Sequence, residues 1–75
     1  MITMHPVQSR NIRAIGYDEE NELLYVTFNA GSTYQYEKVG QGAYNSLLEA
    51  ARDGRSVGKV FWTAITGQFE HKVIG

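Results

Sequence analysis

"LLYVTFNAGSTYQYEKV", residues 23–39, decides the fold. Leu24, Val26 and Phe28 alternate with Leu23, Tyr25 and Thr27. That is the period of a strand, in which successive side chains point to opposite faces. "NAGS" (residues 29–32) follows as a short hairpin connection, with Gly31 free to take a positive φ. "TYQYEKV" (residues 33–39) then reads as a second strand, and Tyr34 and Tyr36 share one of its faces. Upstream, "NIRAIGYD" (residues 11–18) mixes β-branched, aromatic and polar residues at a period near two. The acidic stretch "DEENE" (residues 18–22) joins it to the hairpin as a turn. Short turns make the three strands an antiparallel meander in sequence order.

The period then changes to 3.6. In "GAYNSLLEAARDG" (residues 42–54), Tyr44, Leu47, Leu48 and Ala51 fall at i, i+3, i+4 and i+7, and Gly54 supplies a helix stop. Ser56 is placed to cap a second helix whose apolar face is Val57, Val60, Phe61, Ala64 and Ile65, closed by Gly67. Gly58 weakens its first turn by about 1 kcal/mol relative to Ala. The tail "QFEHKVIG" (residues 68–75) fits either a loose end or a short strand on a sheet edge. The expectation is an α+β domain: a three-stranded antiparallel meander followed by two helices packed on one face, with a short C-terminal strand open. Its core should hold Leu24, Val26, Phe28, Leu47, Leu48, Phe61 and Ile65. The tyrosine pair is expected to lie on the covered face, because the alternating set contains Gln35 and Glu37.

At 75 residues, with 43% hydrophobic and 12% aromatic residues, the chain is one domain with enough apolar material to fold. A core of this size supplies only about 3–5 kcal/mol. There is no cysteine, so neither a disulfide framework nor a thiolate metal site is expected, which points to a reducing, cytoplasmic setting. The opening residues do not form a signal peptide, and no run of about 18 apolar residues suggests a membrane span. The formal charge is −1. Four of the eight acidic residues sit in "DEENE", so any basic face must be local.

The order of these motifs resembles the KTSC domain family, named for its occurrence at the C-terminus of some lysyl-tRNA synthetases and also found alone in bacterial and phage proteins. The resemblance is carried by "VQSRNIRAIGYD", "LLYVTF" with Gly31, "YQY", Tyr44, "LLEAARDG", and "SVGKVF" with Ile65 and Phe69, over about residues 7–69. Gly40 stands where the family commonly has proline, and Trp62 where a polar residue, often asparagine, is usual. The resemblance implies no catalytic residues. It does suggest RNA binding.

No catalytic constellation is apparent in the sequence. Without cysteine, a nucleophile needs a base beside it, and His5 and His71 both fall near chain ends. The carboxylates of "DEENE" should be solvated and ionised, which does not suit general acid work. That turn lacks the spacing of a calcium loop, and two histidines alone do not make a zinc site. "GRSVGK" (residues 54–59) lacks the preceding strand and the spacing of a phosphate loop. The expectation is a non-enzymatic binding domain without a cofactor or metal. Tyr34 and Tyr36 are candidates for a stacking platform, with Tyr25 as a neighbour, because single-stranded nucleic acid binds to aromatics displayed on sheets. Arg13, Lys38, Arg55 and Lys59 are the cations that could accompany them. Trp62 follows Phe61 and points about 100° away from it on a helix, a candidate interface anchor. Two partner classes stay open at this stage, RNA and another protein.

Overall fold

The hairpin at residues 23–39 is the centre of a larger sheet. The computed structural model describes residues 2–53 and 57–75. The strands are β1 (His5–Pro6), β2 (Ile12–Asp18), β3 (Leu23–Phe28), β4 (Thr33–Tyr36) and β5 (His71–Val73). They form one five-stranded antiparallel sheet in sequence order. Helices α1 (Gln41–Arg52) and α2 (Val57–Ala64) lie between β4 and β5 in the chain. The α+β class and the central meander stand, and one short strand is added at each edge. The tail becomes an edge strand. The expected Gly54 helix stop and Ser56 cap lie outside the described residues.

Two residues including a proline carry no strand signal, so β1 is not legible as a pattern. Its edge position explains why Pro6 is tolerated there. His5 pairs with Ile15 and Pro6 with Ala14, and the Val7 N–H donates to the Arg13 carbonyl at 2.9 Å. Gly16 allows the close approach. A Cβ at that position would lie 2.6 Å from the Met4 sulfur and 3.0 Å from the Thr3 carbonyl oxygen. The N-terminal segment thus rests on bare backbone.

The register fixes which face is covered. Leu24 pairs with Tyr36 and Val26 with Tyr34, and directly paired residues share a face. That face is packed with Leu47 of α1, Val57 and Phe61 of α2, and Ile65 just beyond α2. Leu24, Val26, Leu47, Phe61 and Ile65 are buried as expected. Phe28 and Leu48 are instead half-buried at the edge of the core. On α1 the buried residues are Tyr44, Leu47 and Ala50, so the helix is rolled toward Ala50 and away from Leu48. Ile12 and Ile15 are both buried although three apart. A bulge between Ile12 and Ala14 takes up the extra residue.

Val39 is a correction. The strand pattern extends to residue 39 and puts Val39 with Gln35 and Glu37 on the solvent side. Strand β4 ends at Tyr36 instead. Lys38 takes φ 59°, which turns the chain, and Val39 enters the core fully buried. Tyr17 helps hold helix α1 to the sheet. The Tyr17 ring stacks on Tyr44 with centroids 4.7 Å apart, and its hydroxyl donates to the Val39 carbonyl at 2.5 Å. Burial first, and then the negative charge of Glu22, raises the pKa of that hydroxyl, so it stays a donor.

Leu47→Ala removes a fully buried side chain and should cost about 2–5 kcal/mol. Since that approaches the whole stability of so small a core, a chemical denaturation curve should show the variant largely unfolded in buffer. Gly40 tests the opposite direction. It caps α1 at φ −69° and ψ 155° with no side-chain cap bond, and a Cβ there would meet nothing within 4 Å. Proline has that φ already. Gly40→Pro should therefore raise stability by about 0.4–1 kcal/mol, seen as a higher denaturation midpoint with an unchanged slope.

Candidate functional site

Beside the core, the sheet and α2 leave an open groove of about 600 Å³, within the range of about 300–1,000 Å³ usual for ligand sites. Pleat and register build its sheet wall. Tyr34 pairs with Val73 and Tyr36 with His71, so His71 projects on the same face as the two tyrosines. Tyr34 and His71 lie nearly parallel, with centroids 5.4 Å apart and planes 21° apart. Phe28 meets the edge of Tyr34 at 5.2 Å. Phe61 makes the floor: it contacts Phe28 edge-on at 5.7 Å and Tyr36 at 5.4 Å. Tyr36 is buried beneath these rings, and burial, followed by the neighbouring Tyr34, raises its pKa. The helix wall belongs to Gly58 and Trp62. Trp62 is 60% exposed and touches only the edge of Phe61 among the described rings, at 6.3 Å.

A hydrogen-bonded clamp closes one end. The Asn29 side-chain amide donates to the Ser9 and Arg10 carbonyls at 3.1 and 2.9 Å, and its backbone N–H donates to the Asn11 carbonyl at 2.8 Å. Arg13 donates to the Asn29 carbonyl at 3.1 Å. This ties the loop before β2 to the β3–β4 turn and places Arg10 in the groove's lining. The Arg10 guanidinium has no hydrogen bond or ion pair among the described residues. No acidic residue lines the groove among the described residues.

The structure brings Tyr34, Tyr36 and Trp62 to this one groove. Their roles differ: Tyr34 lines the wall, Tyr36 lies beneath it, and Trp62 stands on the rim. Tyr25 is not with them. It pairs with Gly16 and Gln35 and so lies on the opposite face. Lys59 is exposed on α2, one turn before Trp62, and is not in the lining. Arg55 lies outside the described residues. Lys38 is exposed in the turn after β4. The strand and helix patterns mark Phe28 and Phe61 as core residues and do not pick out Arg10 and His71. The hairpin pattern does place Phe28 and the tyrosines close together, but His71 needed β5 and Arg10 needed the clamp. Among the described residues no group of three or more His, Cys, Asp or Glu side chains is placed to hold a metal ion. No helix among them is long and apolar enough to cross a membrane.

Over residues 8–69 the chain matches the KTSC domain, and it belongs to that family. A solved KTSC domain protein from Yersinia pestis superimposes with a TM-score of 0.88 at 36% identity, over 100% of both chains. An uncharacterized protein of Stutzerimonas stutzeri is 42% identical over 55 residues, 73% of this chain and 78% of that one. A protein of Tsukamurella paurometabola is 41% identical over 54 residues, 72% of this chain and 81% of that one.

Thr66 also lines the groove. Its hydroxyl is buried and has no hydrogen-bond partner among the described residues. Leaving such a group unpaired costs about 1–3 kcal/mol, whereas an apolar replacement of the same shape is neutral or stabilising. Thr66→Val should therefore leave the thermal midpoint unchanged or raise it. A clear fall would show that the hydroxyl is paired in solution.

Proposed function

We propose that this KTSC domain is a non-enzymatic module that binds single-stranded RNA through the aromatic groove. The observation that supports the reading is a groove whose described lining combines Phe28, Tyr34, Phe61, Trp62 and His71 with Arg10 and contains no acidic group. Bases stack on aromatic side chains for about 1–3 kcal/mol each, and every base offers a π-face. The chain's net charge of −1 does not oppose this. The acidic turn at residues 18–22 joins β2 to β3, whereas Arg10, Phe28 and Asn29 of the groove lie at the other end of β3, with Tyr36 and His71 level with Leu24 and nearer that turn. A six-residue strand spans roughly 20 Å, more than twice the screening length of about 8 Å at physiological salt.

A second reading, a protein-interaction module, is favoured by the exposed apolar side chains Trp62, Val73 and Ile74. One titration separates the two. Unstructured RNA should bind at low salt, weaken as salt rises because counterions are released, and lose most of its affinity in Trp62→Ala. Absence of binding at low salt would overturn the RNA reading. Salt-resistant capture of a protein, lost in Trp62→Ala, would establish the other.

A further inference from the structure

We infer that the groove takes one nucleotide unit, a single base with its phosphate, and does not track a length of strand. This rests on the RNA reading and narrows it. A strand-tracking site needs a row of cations beside a row of rings. Here the described lining has one formal cation, Arg10, at one end. The rings are also not in a row. Tyr36 is buried and Phe61 is 2% exposed, so both serve as floor. Tyr34 and His71, already parallel to each other, form the sheet wall, and Trp62 faces the groove from the helix side. A flat ring entering the groove would meet aromatic side chains from both the sheet and α2. Its phosphate would meet Arg10, the one formal cation of the described lining. Guanidinium is the side chain best matched to phosphate oxygens, and Arg10 has no competing carboxylate among the described residues. The unit can be a free nucleotide or one position of a strand, because the chemistry recognised is the same.

Trp62 is the chain's one tryptophan, so its fluorescence reads the site directly. The probes are adenosine 5′-monophosphate, adenosine, and a ten-nucleotide oligoadenylate. The monophosphate should quench Trp62 saturably. Adenosine should bind at least about tenfold more weakly, the size of one charge-assisted contact. Arg10→Ala should bind the two alike while keeping the parent's thermal midpoint, since Arg10 is exposed and unpartnered. The decamer should match the monophosphate per site within about tenfold, with a log–log salt slope near −0.7, the value for one phosphate on a single strand. A decamer that binds with a slope of about −2 or steeper, while the monophosphate leaves Trp62 unquenched, would overturn the one-unit inference and leave the RNA reading standing. Equal binding of adenosine and its monophosphate to the parent would remove Arg10 from the site and overturn the inference too. No binding of any probe would overturn both.

Discussion

Phe61 is the contact on which the rest of the arrangement depends. Its ring is 2% exposed and touches Phe28, Tyr36 and Trp62, each roughly edge-on. One side chain of α2 therefore seals the core and forms the floor of the groove. Edge-to-face pairs of this kind contribute about 0.5–1.5 kcal/mol each beyond area burial. In a domain whose core supplies only a few kcal/mol, three such contacts are a substantial share. Site and stability cannot be separated at this position. At Trp62 they can, because its indole is mostly in solvent.

The parts of the fold legible in the sequence are those with a repeated period. The 23–36 hairpin has alternation on both strands, and this placed Tyr34 and Tyr36 on the covered face. Period failed wherever a single residue changes the geometry. The bulge at Ile12–Ala14 lets two isoleucines three apart share a face. The positive φ of Lys38 sends Val39 inward. Tyr25 could be assigned to either face by eye, and only the register with Gln35 settles it. Short edge strands have too few residues to show a period at all. β1 has two and β5 three, so the tail with His71 fits a loose end as well as an edge strand by pattern, and only the pairing with β4 decides it.

Charge shows the same limit. A count gives −1, which argues against a phosphate ligand. The meander separates what the count adds together. Successive hairpin turns lie at opposite ends of a sheet, so the Asp18–Glu22 turn and the Arg10–Asn29 clamp are held apart by the length of β3. Within the acidic turn Asp18 is held by Asn21 and stays ionised. The Asn21 side chain and backbone both donate to the Asp18 carboxylate, and the side-chain bond lowers its pKa. The Arg10 end of the groove is therefore separated from the acidic turn by the length of β3, while Tyr36 and His71 lie nearer to it.

Trp62 shows how sharply α2 divides core from rim. Residues 61 and 62 are neighbours in sequence but about 100° apart on the helix, so one position serves the core and the next serves the rim. The core position is constrained by three rings. The rim position is not. Tryptophan at that point adds a large flat surface to a groove that already offers Tyr34 and His71 on the opposite wall. It does so with one ring contact among the described residues, to Phe61, and most of its indole in solvent.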